Sequence, residues 1–349
     1  MENNKISFSN KIYLISFILS VMIVYLHSLF KSNSETLLYA YRYLFNLENI
    51  CVPMFFMISG YLFYRNFSID KLLYKYKSRF KSLFIPYLIW NIIAFLYSFC
   101  ISKFAGANVE IPSGILSNVY KILNSNYSVL WFVKYLMIFT LLSPLIYYLM
   151  KRKSSVLIII GCVVFLGYSV YSGLFPDPID LKQNNIYIYI YEGIYYLIGC
   201  YAAINFKNQI EQYSKSRSIF SLIILTLLLI ANIFMARTSV TPFIWELYRI
   251  LFCIVLFFTF DLLKDISVKW WMKISFFIYC FHMYPLQISQ ELIIKLTDNK
   301  YILFLSYLIM PALIVLLSVF VAKFMSTAAP TIWKILNGGR AENKKHGAK

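Results

Sequence analysis

Ten stretches of this chain are each apolar enough, and nearly all long enough, to cross a membrane. That succession limits what the sequence can become more than any other feature. A transmembrane helix needs about 20 mostly apolar residues to cross roughly 30 Å of hydrocarbon. The stretches run at about 12–30, 49–64, 82–101, 130–149, 155–172, 186–204, 219–236, 243–260, 274–292 and 301–322. The second is short and is expected to begin a turn earlier. The sixth opens on alternating Tyr and Ile, a strand-like period. A lone strand cannot satisfy its backbone in lipid, so a helix is expected there too. The expectation is an all-α integral membrane protein, about ten transmembrane helices in one bundle. No polar block between them is large enough to be a soluble domain. The chain divides into an N-terminus (1–11), one transmembrane domain (12–325) and a basic tail (326–349).

Composition agrees. The chain is 60% hydrophobic and only 14% charged, whereas soluble domains are about a quarter charged. The net charge of +18 would suggest nucleic acid in a soluble protein. Here it sorts by side. With the N-terminus in the cytoplasm, 23 of the 33 Lys and Arg fall in cytoplasmic segments, as the positive-inside rule requires. Both termini are then cytoplasmic. The partner implied is the bilayer, not nucleic acid, and the sequence sets no oligomeric state. The first span is too long for a signal-peptide core and lacks a small-residue cleavage site before Lys31, so it is expected to be retained. The densest basic segment holds Arg65, Lys71, Lys75, Lys77, Arg79 and Lys81. It either sets topology and meets anionic lipid, or holds the phosphates of a nucleotide-bearing donor. The six cysteines lie in or beside apolar stretches without a CxxC pair, so neither a metal site nor a disulfide is expected. Dinucleotide, P-loop and zincin motifs are missing from the sequence.

Ionisable residues inside spans are costly and tend to face a cavity, a partner or a substrate path. His27 ends the first span. Lys134 lies in the outer part of the fourth, three residues after Trp131, and Glu192 in the outer part of the sixth. Glu246 and Arg249 are three apart in the eighth and share a helix face. His282 lies near the middle of the ninth. Most sit in the outer half, which points to a polar pocket open to the extracytoplasmic side. The alternatives are a local Glu246–Arg249 ion pair, a snorkelling Lys134 and histidines satisfied between helices. Of the three histidines, His346 is in the tail and the other two are in spans. Histidine is the side chain best suited to take and return a proton near neutral pH.

Four segments, taken together and in order, carry a family resemblance. They are Lys11–Ser28 (KIYLISFILSVMIVYLHS), Val52–Phe63 (VPMFFMISGYLF), Arg79–Asn91 (RFKSLFIPYLIWN) and Ser275–Pro285 (SFFIYCFHMYP). Leu130–Pro144 (LWFVKYLMIFTLLSP) fits as well. The chain resembles the acyltransferase-3 family of integral membrane acyltransferases, which modify surface polysaccharides and related acceptors. The resemblance implies a cytoplasmic acyl-CoA donor, a glycan hydroxyl as acceptor, and no permanently bound cofactor or metal. It implies that His27 is essential, with His282 and Tyr279 as further catalytic candidates. It also implies that Arg79 and Lys81, with Lys77 and Lys75, meet the donor's phosphates. Glu192, Glu246, Arg249, Lys134 and Trp131 are then the candidates for the acceptor pocket. One departure is clear. Eleven residues before the key histidine the family has an arginine, and this chain has Ser16; Lys11 is more than a turn away. The expected activity is O-acetyl transfer in a bacterial cell membrane. The alternative is an exporter or flippase of a glycan intermediate, which would pass no labelled acetyl group to an acceptor.

Overall fold

A polar side chain sets the start of the first helix. Ser7 Oγ accepts the Asn10 N–H at 3.2 Å and opens α1 (Phe8–His27), a standard N-cap. The computed structural model describes residues 6–30, 33–104, 111–171, 187–238, 240–263 and 266–340. Residues 1–5 and 341–349, with His346, lie outside these, as does the start of the sixth stretch. The described residues are helical and contain no strand. After α1 come α2 (Glu35–Glu48), in a segment the sequence pattern left as a loop, and α3 (Cys51–Tyr64). The basic segment is helical too. Helix α4 (Leu72–Arg79) passes through a π-helical turn (Phe80–Phe84) directly into α5 (Ile85–Phe104). Pro86, just inside α5, has no N–H to offer the Ser82 carbonyl four residues back, and the wider turn sits there. Helix α6 (Ile115–Leu123) leads to α7 (Trp131–Leu141) and α8 (Ser143–Met150), bent by 70° where Pro144 interrupts the ladder. Then follow α9 (Val156–Tyr171), α10 (Tyr187–Asn205), α11 (Lys207–Glu211), α12 (Lys215–Arg237) and α13 (Pro242–Thr259). The chain closes with α14 (Ser275–Phe281), α15 (Met283–Leu296), α16 (Lys300–Ala328) and α17 (Pro330–Leu336).

Six helical runs are each long and apolar enough to cross a bilayer: Phe8–His27, Glu35–Tyr64, Ile69–Lys103, Lys215–Arg237, Pro242–Leu262 and Lys300–Ala328. The bent α7–α8 pair makes up to seven. The three other stretches expected to span are helical as well. Helix α9 is shorter, α10 begins at the edge of the described residues, and α14–α15 is broken at His282.

The most extensive pairing is α3 against α10, and two facing glycines permit it. A Cβ on Gly199 would run into the Met57 carbonyl and lie 2.9 Å from Tyr61 N. One on Gly60 would run into the Tyr196 carbonyl. Close approach of this kind is how helices gain packing energy in lipid, where the hydrophobic effect offers little between them. In the first turn of α1, Lys11 is 2% exposed and pairs with Asp261 at 2.5 Å, its ammonium 3.8 Å from the Phe257 ring centroid. The chain beyond α16 does not trail away. Trp333 of α17 packs on Phe277 at 5.1 Å, and Trp90 of α5 donates its indole N–H to the Leu336 carbonyl at 3.0 Å.

Candidate active site

Helix geometry decides which α1 residues act together. Eleven residues make almost three full turns, so Ser16 and His27 share one face, about 16 Å apart along the axis. Ile23 lies between them on that face. Ser16 and Ile23 line a cavity of about 200 Å³, and His27 stands one turn beyond it. The other walls come from Phe55, Ser59 and Phe63 of α3, Phe132 and Leu136 of α7, Tyr196 of α10, and Ser275 and Tyr279 of α14. Arg79 and Arg340 also line it. Most of the lining is apolar. The volume is below that of a drug-sized pocket and suits a slender chain rather than a bulky ring system.

At the C-terminal end of α1 two histidines meet. The His27 and His282 ring centroids are 5.4 Å apart with planes at 33°. Gln290 of α15 donates to the His27 carbonyl at 3.1 Å and holds the end of α1. His282 is fully buried at the α14–α15 break. Its Nδ1 lies 2.8 Å from the Tyr279 carbonyl and 3.2 Å from that of Ile278. Carbonyls only accept, so Nδ1 carries the proton and Nε2 of the neutral ring carries a lone pair. That Nε2 is buried and, among the described residues, has no hydrogen-bond partner. Tyr279 forms part of the cavity wall, its ring 6.3 Å from that of His282. Its hydroxyl proton is committed to the Val129 carbonyl.

The four donor-side candidates separate. Arg79 faces the cavity and lies 5.6 Å from the Phe63 ring centroid. Lys75 turns back to donate to the Phe63 carbonyl at the end of α3. Lys77 and Lys81 are exposed. The acceptor-side candidates also fall into separate groups. Arg249 binds Glu246 at 2.7 Å and Glu192 at 3.2 Å, and Tyr195 donates to Glu246, so these charges close on one another inside the bundle. Lys134 lies outside that cluster, 3.5 Å from the Asn124 carbonyl. Trp131 packs against Tyr135 and Phe56. Among the described residues no group of three His, Cys, Asp or Glu could hold a metal.

The sequence pattern gave no site role to Arg340. The sequence does carry a signal at this point: Pro330 starts a helix and Asn337-Gly338-Gly339 ends one. Gly338 and Gly339 adopt φ of +62° and +70°, the left-handed region glycine favours. Their N–H groups cap Ile335 and Lys334 at 3.0 and 2.8 Å. The turn sends Arg340 back under the bundle. There its Nη1 donates at 3.1 Å to the Ser82 carbonyl, to which Pro86 can give nothing.

The helical fold, with at least six runs able to cross a bilayer, is that of a multi-pass membrane protein. The model of the acyltransferase-3 family, described as an acyltransferase domain, matches residues 13–323, and the chain belongs to that family. No curated protein and no solved structure matches the chain.

Proposed function

We propose that this protein moves an acyl group, most simply acetyl, from cytoplasmic acyl-CoA to a hydroxyl of a cell-surface or lipid-linked glycan. It would do so in a bacterial plasma or inner membrane, crossing ten times with both termini in the cytoplasm. The observation that carries this reading is the narrow cavity along α1, with arginine at one end and a histidine pair just past the other. A thioester arm entering past Arg79 would bring its carbonyl towards the histidines, where an acceptor hydroxyl arrives from the opposite side.

In this reading His27 takes the hydroxyl proton as the oxygen attacks the thioester carbonyl. The tetrahedral intermediate collapses, the C–S bond breaks, and the proton passes to the leaving thiolate. General base catalysis of this kind is typically worth about 10²–10⁴-fold, and holding both substrates in line supplies the entropic part. His282, with its Nε2 lone pair facing no protein donor, fits as the acceptor of a hydrogen bond that orients His27 or the substrate hydroxyl. Tyr279 fits as wall rather than as proton donor.

The test is transfer of labelled acetyl from acetyl-CoA by the purified chain in nanodiscs. His27→Ala is expected to abolish transfer while inserting normally. Wild-type transfer in that variant would sink the role of His27. A wild-type chain that moves glycan across the membrane without passing label would sink the enzyme reading.

A further inference from the structure

The cavity's polar walls do not match charge to charge. Two guanidinium groups, Arg79 and Arg340, face it. Among the described residues neither is paired with a carboxylate. Ser16 faces the same space and brings no charge. Lys11, five residues before it on α1, is held by Asp261. The cavity's cationic character therefore comes from the end of α4 and from the C-terminal segment, not from the first helix.

Arg340 is placed by several contacts at once. Beyond its bond to Ser82, its guanidinium lies 4.1 Å from the Phe276 ring centroid. Asn337 Nδ2 donates to its backbone carbonyl at 2.6 Å. At Gly338 a Cβ would run into the Arg340 guanidinium, while the Ser82 carbonyl would lie only 2.5 Å away, so only glycine turns the chain this tightly. Burial and the neighbouring Arg79 lower the Arg340 guanidinium to about 10, which still leaves it charged at neutral pH. Two like charges held beside one cavity, with no carboxylate partner among the described residues, favour an anion between them. The planar fork of arginine suits a phosphate group.

We infer that Arg340 and Arg79 together form the phosphate-binding end of the donor cavity, so that the donor site is completed by the segment after the last long helix. This deepens the function proposed above and rests on it. Two anions share the chemistry, the phosphates of a nucleotide-bearing thioester donor and a phospholipid headgroup. The inference commits to the donor.

The experiment measures binding of coenzyme A and of pantetheine, which lacks phosphate, to the full chain in phosphatidylcholine and phosphatidylglycerol nanodiscs, with thermal melting of the unliganded protein. Arg340→Met is expected to weaken coenzyme A by about 10- to 100-fold, the range for a hydrogen-bonded charge. Pantetheine affinity and the unliganded melting temperature should hold. Gly338→Ala, which displaces the arginine without removing it, should reproduce the loss. Unchanged coenzyme A affinity in Arg340→Met would overturn the inference, as would equal loss of pantetheine. It would also fall if the variant lost only its stabilisation by phosphatidylglycerol, since the anion would then be a headgroup. A wild-type chain that binds no coenzyme A would remove the donor reading itself. Wild-type binding with an indifferent Arg340→Met removes the arginine's role alone.

Discussion

His282 tests how far a single atom can be assigned. Its Nδ1–H is spent on helix carbonyls, and its Nε2 has no hydrogen-bond partner among the described residues. Asparagine can copy the first feature and not the second. In this protein Asn91 already donates to the Tyr87 carbonyl four residues back at 2.8 Å, and Asn205 does the same to Tyr201 at 3.1 Å. His282→Asn is therefore expected to fold and to melt near the wild-type temperature. Labelled acetyl transfer should fall by about 10²-fold or more, within the range for a lost proton-handling group. Wild-type transfer would mean that Nε2 takes no part in the reaction. The Glu192–Arg249–Glu246 cluster poses the opposite case. Its charges answer one another in the interior, and removing one partner of such a group leaves the rest uncompensated. Arg249→Leu should therefore lower the amount of folded protein recovered before it changes turnover per folded molecule. Expression yield and specific activity read separately would check this.

Helices act here as rulers and as walls. Helix α1 sets a fixed distance of about 16 Å between Ser16 and His27. The α3–α10 pair makes a stiff wall because its backbones touch at Gly60 and Gly199. Alanine at Gly199 has no flexible side chain to push aside, only the Met57 carbonyl and Tyr61 N. Gly199→Ala is expected to destabilise the fold by about 1–3 kcal/mol, the usual cost of overpacking, and to displace the walls that Ser59 and Tyr196 form. A lower melting temperature in detergent, with weaker donor binding, is the expected pair of results. An unshifted melt would show that the helices can separate without cost. The π turn at Phe80–Phe84 belongs to this scale as well. It joins α4 to α5 without a break, so Arg79 sits on a helix rather than on a loop.

On the scale of the whole molecule, the topology makes a definite prediction. Ser78 and Asp298 are both exposed. With ten crossings and a cytoplasmic N-terminus, Ser78→Cys should react with a membrane-impermeant thiol reagent only from the cytoplasmic side. Asp298→Cys should react only from the outside. Labelling of both from one face would mean that the number of crossings between them is even. The sequence alone determined the helical membrane class, the position of nearly every long helix, and the two histidines in spans. Those follow from hydropathy and from the cost of a titratable group in lipid, both local properties of the chain. It also marked Arg79, through its place ahead of Leu83–Tyr87. It offered the Glu246–Arg249 pair as one alternative, but it did not show that Lys75, Lys77 and Lys81 turn away from the cavity, or that Glu192 joins that pair. Nor did it show that His282 meets His27 across 255 residues of chain. Least of all did it show Arg340, which by composition is one more basic residue in a tail. Which charges face a cavity depends on how helices distant in sequence pack and where glycine turns the backbone. In this protein the tertiary structure decided that by bringing the segment after the last long helix back against α5 and α14.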